Sequence, residues 1–368
     1  MLPTARYSHL VNLLKSSEFS VAALNPSPTL TYLTGLSFHL MERPVVLLST
    51  PDETPALILP ELETSRLDKA FIPLQVFPYS DNPTTWMEAF KKASKAVPLN
   101  KKKVAIEASR FRFLELNFLK AANPEIELAA GDDIFARLRL IKDENEINLM
   151  RKAVQVAQRA LEGTLPFIKT GVCEKDIAAE LTIQLLRAGS EPELPFPPIV
   201  SSGPNSADPH GTPTERKLQA GDLLVIDWGA TVGGYCSDLT RTFAIGCLDN
   251  ELEKIYRTVQ QANAAGRAAG KPGKPAGEVD RSTRSVIEIA GYGKYFTHRT
   301  GHGLGMEAHE QPYIYTKNSL TLAPGMVFTI EPGIYLPKQG GVRIEDDVVI
   351  TATGCESLSD FPRDLVIF

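Results

Sequence analysis

The chain has 368 residues, of which 43% are hydrophobic and 23% are charged, and this ordinary globular composition excludes a disordered, collagen-like or disulfide-scaffold protein. Acidic residues outnumber lysine and arginine by 44 to 39, and the formal net charge is −5, so no overall positive field attracts a nucleic acid. At about 150 residues per domain, the length predicts two domains or one domain with an added module.

The sequence shows no signal for export or membrane insertion. Its N-terminal segment has no continuous apolar run before a small-residue cleavage site, and no stretch approaches the about 18 apolar residues of a membrane span. The four cysteines are far apart in sequence and match no redox or zinc-binding spacing, which favours reduced thiols. We therefore expect a cytoplasmic protein that has neither a membrane nor a nucleic acid as its partner.

The first third of the sequence alternates short apolar runs with turns. Residues 44–50, 56–60 and 103–108 are typical of strands, and residues 86–97 have the pattern of a helix. This alternation predicts a small α/β domain over residues 1–131.

A second domain is predicted over residues 132–368. It begins with a connecting helix and a long helix, in which Ile147, Met150, Val154, Ala157 and Leu161 recur every three or four residues. Further helices are expected at 177–189, 252–269 and 279–292, and glycine-containing strand pairs at 221–245 and 326–350. Long helices with antiparallel strand pairs predict an α+β domain whose helices cover a curved sheet.

The first strand pair turns at Gly233-Gly234, a dipeptide that suits a two-residue hairpin. This turn places Asp227 and Asp238 as diagonal neighbours on one face, roughly 7 to 8 Å apart. Asp227 lies in an otherwise apolar strand, where an unpaired charge is costly. The hairpin by itself leaves open the alternative that Asp227 caps a turn and Asp238 is solvated.

More candidate ligands follow the later strands. Glu331 and Glu345 end or interrupt apolar strands, and the glycine-rich segment HRTGHGLGMEAHE adds His298, His302 and His309. This segment contains too much glycine for the helix of the HExxH zinc motif. Two aspartates, two glutamates and a histidine suit a pair of divalent cations, which can activate a water and polarise a carbonyl. The residues therefore predict a metal-assisted hydrolase.

The ordered motifs IDWGA, SDLTRT, HRTGHGLG, EPGIY and GVRIEDD resemble those of the proline-specific peptidases of the pita-bread superfamily. These are Xaa-Pro aminopeptidase (aminopeptidase P) and Xaa-Pro dipeptidase (prolidase). The resemblance implies a creatinase-like N-terminal α/β domain before a pita-bread catalytic domain. It also implies a homodimer that acts on short proline-containing peptides with two divalent metal ions per chain, manganese first and cobalt or zinc as alternatives.

The resemblance also assigns roles to residues. One metal would be bound by Asp227, the other by His302 and Glu331, and both by Asp238 and Glu345. Glu331 would also accept the proton of the attacking water, aided by the catalytic histidines His210 and His309, while His298, Tyr335 and Arg343 would contact substrate. Two simpler alternatives stay open, namely a core role for Tyr335 and an ion pair between Arg343 and Glu345.

Among the activities that this resemblance implies, we favour aminopeptidase P, because Tyr335 and Arg343 match the pattern of that branch around the metals. The alternative is a prolidase that acts on dipeptides. A more distant alternative is a pita-bread protein that binds without catalysis, against which the retention of all five metal positions argues.

Overall fold

The computed structural model describes residues 3–97, 99 and 101–368, and the chain divides into two compact units, Met1–Arg139 and Leu140–Phe368. The sequence placed the boundary before residue 132, whereas the eight-residue helix Asp132–Arg139 belongs to the first unit. This helix packs against the helix Pro3–Lys15, and the Tyr32 hydroxyl donates to the Leu138 carbonyl at 3.2 Å. Tertiary contacts therefore set the boundary at a different place from the glycine break.

The N-terminal unit consists of one mixed sheet with helices. Its helices are α1 (Pro3–Lys15), α2 (Pro28–Thr34), α3 (Trp86–Ala96), α4 (Phe113–Ala122) and α5 (Asp132–Arg139), with 3₁₀ segments at Glu61–Lys69 and Pro83–Thr85. Its strands are β1 (Val21–Leu24), β2 (Val46–Ser49), β3 (Ala56–Pro60), β4 (Gln75–Tyr79), β5 (Lys103–Ile106) and β6 (Glu127–Ala130). The predicted strands β2, β3 and β5 and the predicted helix α3 are confirmed.

The six strands pair in the order β4-β3-β2-β1-β5-β6. Helix α3 shows why the sequence folds this way, because it buries Trp86, Ala89, Phe90 and Ala93 at helical spacing. These side chains pack with the buried faces of the strands in one core cluster. The small α/β domain expected from the sequence is thus present.

The C-terminal unit has longer helices and several antiparallel sheets. Its helices are α6 (Glu144–Thr164), α7 (Glu174–Ala188), α8 (Asn250–Ala269) and α9 (Ala276–Ile289), with 3₁₀ segments at Leu165–Phe167, Gly203–Ala207 and Gly293–Tyr295. Its strands are β7 (Ile199–Ser202), β8 (Leu223–Trp228), β9 (Thr231–Val232), β10 (Tyr235–Cys236), β11 (Leu239–Ala244), β12 (Gly301–Gly303), β13 (Glu310–Ile314), β14 (Val327–Ile330), β15 (Gly333–Leu336), β16 (Gly340–Arg343), β17 (Asp346–Ile350) and β18 (Cys355–Ser357). None of the helices formed by the described residues is both long enough and apolar enough to cross a membrane.

Two sheets of this unit carry the acidic residues. One has the order β11-β8-β7, and the other has the order β13-β12-β14-β17-β18. Helix α6 begins at the capping residue Asp143, whose side chain accepts a hydrogen bond from the Glu146 amide at 3.0 Å. The apolar face of α6 then packs in the same core cluster as β8 and β11. The α+β architecture expected for this unit is confirmed.

Candidate active site

A β-hairpin brings Asp227 and Asp238 to one place. Its turn residues Gly233 and Gly234 have φ angles of 59° and 75°, which glycine adopts without steric cost and which match the twist of a two-residue hairpin. From this turn the pairing continues without a slip, so that Thr240 lies opposite Asp227. Asp238 precedes Thr240 by two residues, and its side chain therefore points to the same side of the pair. The hairpin register expected from the sequence is confirmed.

Three further side chains reach this point from the other sheet. His302 lies in β12, Glu331 directly follows β14, and Glu345 lies between β16 and β17. A bridge joins the two sheets here, because the Glu345 amide donates to the Thr240 carbonyl at 3.1 Å and Thr240 Oγ1 donates to Glu345 Oε2 at 2.6 Å. The His302 amide donates to Thr329 Oγ1 at 3.1 Å. Residues far apart in sequence thus converge at the open end of the hairpin.

The converging side chains form three overlapping groups, in each of which the ligand atoms lie within 4.8 Å of one another. The groups are Asp227, Asp238 and Glu345; His302, Glu331 and Glu345; and Asp238, His302 and His309. Asp238, His302 and Glu345 each belong to two of these groups. The structure therefore brings together the five side chains predicted as metal ligands, and it adds His309 as a neighbour that could serve as a sixth.

Burial and mutual repulsion make this cluster electrostatically unfavourable without a counter-charge. Burial first, and then the charge of Glu345, raise the pKa of Asp238 well above its usual value. Burial and the charge of Glu331 do the same to the pKa of Glu345. Burial also raises the pKa of Glu331 to about 7. These three carboxyl groups thus resist ionisation in the metal-free protein.

Among the described residues, Arg343 is a cationic side chain in direct contact with this cluster. Arg343 donates to Asp227 Oδ2 at 2.6 Å, and the other oxygen, Asp227 Oδ1, is buried and has no hydrogen-bond partner among the described residues. Buried negative charge is costly unless cations neutralise it. Carboxylate oxygens with one imidazole are a ligand set that suits divalent ions. The residues present therefore fit divalent metal ions.

His302 is oriented as a metal ligand should be. Its Nδ1 lies 3.2 Å from the Gly303 carbonyl, and this contact assigns the proton to Nδ1. The other nitrogen, Nε2, then faces Glu331 Oε1 at 3.3 Å and Asp238 Oδ2 at 3.7 Å. Burial, followed by the neighbouring His309, lowers the pKa of His302 well below its usual value. A neutral ring with a free Nε2 lone pair is the form that binds metals.

The predicted catalytic histidines lie at the exposed edge of the cluster. The ring centroid of His309 is 4.0 Å from that of His302, and its side chain is exposed. His210 is also exposed. Its amide donates to Asp208 Oδ1 at 3.0 Å, and its charge is among those that lower the pKa values of His298 and His309 after burial. Both rings are thus reachable by a molecule that enters from solvent.

The three residues predicted to contact substrate form one hydrogen-bonded chain. His298 Nε2 lies 2.9 Å from the Tyr335 hydroxyl, which accepts from Arg343 Nη1 at 3.0 Å. Burial lowers the pKa of His298 to about 4. Arg343 forms its ion pair with Asp227. The simpler alternative considered from the sequence was an ion pair between Arg343 and Glu345. Tyr335 is buried, and its hydroxyl is satisfied by these two partners.

Sequence reasoning missed a buried carboxylate that holds the segment carrying His210. Glu174 Oε1 accepts from the Ser202 amide at 2.6 Å, and Glu174 Oε2 accepts from the Thr214 amide at 3.0 Å. Asn205 Nδ2 lies 3.2 Å from both oxygens. Glu174 lies in the first turn of α7, where acidic residues are common because of the helix dipole. The sequence therefore gave no signal for this contact.

A second missed group supports the segment from His298 to His302. Buried Asp280 accepts from the Thr300 amide at 3.1 Å and from its hydroxyl at 2.7 Å. Arg284 Nη2 donates both to Asp280 Oδ1 at 3.1 Å and to the His298 carbonyl at 2.9 Å. In sequence, Asp280 and Arg284 are an ordinary pair one helical turn apart, which is usually a surface feature.

Family models match both units of the chain. Residues 148–352 match the metallopeptidase family M24, and residues 6–141 match the creatinase/prolidase N-terminal domain. The chain belongs to the metallopeptidase family M24 and is a metal-dependent peptidase with the N-terminal domain of creatinases and prolidases. The alternative of a pita-bread protein without catalytic activity is therefore set aside.

Known relatives and solved structures match the whole length of the chain. The Xaa-Pro dipeptidase of Pyrococcus horikoshii is 34% identical to this chain over 359 residues, which cover 97% of each chain. The crystal structure of a dipeptidase from Pyrococcus horikoshii OT3 matches with a TM-score of 0.93 and 36% identity over 99% of this chain and 100% of that one. A prolidase from Thermococcus sibiricus matches with a TM-score of 0.94 and 33% identity over all of both chains (100% and 100%).

An X-Pro aminopeptidase from Thermotoga maritima is less similar, with a TM-score of 0.85 and 29% identity over 98% of this chain and 99% of that one. The comparisons therefore support the prolidase alternative better than the aminopeptidase P activity that we favoured from Tyr335 and Arg343. In the structure Arg343 donates hydrogen bonds to the Tyr335 hydroxyl and to Asp227. Such contacts do not by themselves select the length of a peptide.

Proposed function

We propose that this protein is an Xaa-Pro dipeptidase, which hydrolyses the bond before proline in dipeptides. The observation that carries the proposal is the overlap of the ligand groups: the group of Asp227, Asp238 and Glu345 shares Glu345 with the group of His302 and Glu331. The dipeptidase and prolidase names of full-length relatives support the substrate class. Aminopeptidase P is the second candidate, because a solved X-Pro aminopeptidase shares the fold.

In this proposal the five ligands hold two divalent cations per chain, manganese first and cobalt or zinc as alternatives. When bound, the cations would lower the pKa of a shared water and polarise the scissile carbonyl. The ligand assignments are those of the sequence: Asp227 for one cation, His302 and Glu331 for the other, and Asp238 and Glu345 for both. A homodimer in the cytoplasm is also part of the proposal.

The remaining residues would handle protons and substrate. Glu331 lies beside the His302 ring and accepts from Thr329 Oγ1 at 3.2 Å, so one of its oxygens is fixed and the group is placed to accept a proton from the attacking water. The exposed rings of His210 and His309 would stabilise the developing charge or give a proton to the leaving proline nitrogen. His298, Tyr335 and Arg343 would orient the substrate around the buried carboxylates.

The test compares three peptides under identical metal loading: the dipeptide Ala-Pro, the tripeptide Ala-Pro-Ala and the control Ala-Ala-Ala. We expect rapid cleavage of the dipeptide, slow cleavage of the tripeptide and none of the control. Proline should be required because its tertiary amide has no N–H and its φ angle is fixed, which gives a shape that a pocket can select. Faster cleavage of the tripeptide would assign the protein to aminopeptidase P, and comparable cleavage of the control would refute proline specificity.

Metal affinity is expected to rise with pH between about 5.5 and 7.5. Burial raises the pKa of Glu331 to about 7, and the pKa values of Asp238 and Glu345 are raised in the same direction in the metal-free protein. A cation must therefore displace protons when it binds to these groups. His302 adds no proton in this range, because its pKa is lowered. Release of one proton per cation makes the affinity increase about tenfold per pH unit.

This pH dependence can be measured by calorimetric titration of metal-free protein with Mn²⁺ at three pH values. Buffers with different ionisation enthalpies report the number of protons released. Glu331→Gln is the matched variant, since it keeps the shape of the side chain and removes one titrating group, and it should release fewer protons per chain. An affinity that does not change over this pH range would show that the carboxyl groups are already ionised before the metal binds.

A further inference from the structure

Arg299 is a positively charged side chain at the edge of the acidic cluster. It lies between His298 and Thr300, two residues before the start of β12, and is half-buried. Its guanidinium carbon lies 4.3 Å from the centroid of the Tyr313 ring, and Tyr313 is the direct partner of His302 in the pairing of β12 with β13. Directly opposite residues of antiparallel strands share one face of the sheet. The guanidinium is therefore held on the same face as the His302 ring.

Arg299 differs from the other arginines near the site in having its donors free. Arg343 donates to Asp227, Tyr335 and Thr240, whereas Arg284 is bound to Asp280 and to backbone carbonyls. Within residues 3–97, 99 and 101–368, the Arg299 guanidinium makes no hydrogen bond and no ion pair. Burial and then the nearby charge of Arg299 lower the pKa of His309. A cation of this kind is available for an anionic group of a bound molecule.

The backbone of a dipeptide has one anionic group, the C-terminal carboxylate, and covalent geometry fixes its distance from the scissile bond. The C-terminal carboxylate is attached to the proline Cα, and consecutive Cα atoms are only about 3.8 Å apart. When the scissile carbonyl lies at the acidic cluster, the carboxylate must lie within one residue of it. There it needs a positive partner, because the protein's own carboxylates would repel it.

We propose that Arg299 binds the C-terminal carboxylate of the Xaa-Pro dipeptide and thereby selects dipeptides over longer peptides. The inference rests on the proposed dipeptidase function. The planar guanidinium can form two parallel hydrogen bonds to a carboxylate. Stacking on Tyr313 orients the guanidinium before the substrate binds, which lowers the entropic cost of forming this pair. A longer peptide has a neutral amide at the same place and cannot form the charged pair.

The experiment uses the metal-loaded full chain and two substrates, Ala-Pro and its neutral analogue Ala-Pro-amide. The parent protein should prefer Ala-Pro by about 10- to 100-fold in kcat/KM, the usual size of a charged, two-bond contact. For Arg299→Gln, kcat/KM on Ala-Pro should fall by about this factor, mainly through a higher KM. Its kcat/KM on Ala-Pro-amide should change little. Arg299→Lys keeps the charge without the planar fork and should fall between the two. Inhibition by L-proline should weaken in Arg299→Gln, while inhibition by L-prolinamide should not.

Arg257→Gln is the control, because Arg257 is an exposed residue of helix α8 and pairs with Glu253. This variant should have the same kcat/KM as the parent protein on both substrates. Equal losses on Ala-Pro and on the amide in Arg299→Gln, or no loss at all, would overturn the inference. These results are distinct from a failure of the proposed function, which would appear in the parent protein as faster cleavage of Ala-Pro-Ala or as cleavage without proline.

Discussion

Asp238→Asn is expected to abolish peptide hydrolysis and to lower the metal content of the purified protein. Asp238 belongs to two of the three groups of ligand atoms, so the neutral amide weakens both proposed metal sites at once. Changing a residue that only supports a metal ligand lowers metal affinity or activity by about 10- to 100-fold. The loss of a ligand shared by two metal ions should lower both by more than this. The measurements are kcat/KM on Ala-Pro and metal analysis of the same sample. Glu345→Gln should behave in the same way.

Thermal unfolding separates this effect from a loss of folding. Because the pKa of Asp238 is raised in the fold, the stability it contributes is present below its unfolded pKa and is lost as the pH rises through the folded pKa. At pH 7.5 the metal-free Asp238→Asn protein should therefore have a Tm equal to or above that of the parent. Its gain in Tm on adding Mn²⁺ should be smaller, since the gain depends on affinity.

The matched control is Asp249→Asn, the same chemical change outside the site. Asp249 is exposed and caps helix α8 through a hydrogen bond from the Leu252 amide at 2.8 Å, and asparagine caps helices about as well. Activity, metal content and Tm should stay at the level of the parent protein. Retained turnover with two metal ions per chain in Asp238→Asn would show that Asp238 is not a shared ligand.

His309→Ala and His210→Ala should each lower kcat by about 10²- to 10⁴-fold, the usual contribution of general acid-base or electrostatic help. Metal content should change little, because both rings are exposed and neither is among the five proposed ligands. The His309 variant is the stricter test of the two, because a ring nitrogen of His309 lies close enough to Asp238 and His302 to bind the same metal ion. Turnover and bound metal must therefore be measured on the same protein.

His9→Ala is the control for these histidine variants, because His9 lies in helix α1 of the N-terminal unit, where alanine is well tolerated. It should retain full turnover. If the metal content of His309→Ala fell in proportion to its activity, His309 would be a ligand and the assignment of His309 as a proton donor would be wrong.

The sequence by itself determined the parts of the fold and site that depend on neighbouring residues. Gly233-Gly234 requires a tight turn, the turn fixes the pairing of β9 with β10, and the pairing places Asp227 and Asp238 on one side. The same holds for α6, whose apolar residues recur at helical spacing. These features are local, because backbone geometry repeats every two or 3.6 residues and needs no distant partner.

Only the tertiary structure decided which distant groups meet. Thr240 and Glu345 are 105 residues apart and Asp227 and Arg343 are 116 residues apart, yet each pair is in hydrogen-bond contact. The same applies to Glu174, which holds both ends of the segment that carries His210, and to Arg299, whose guanidinium rests on Tyr313. The number of residues between two such groups does not predict their distance in space. That distance depends on how sheets and helices pack through their apolar faces, and many different sequences can form such faces.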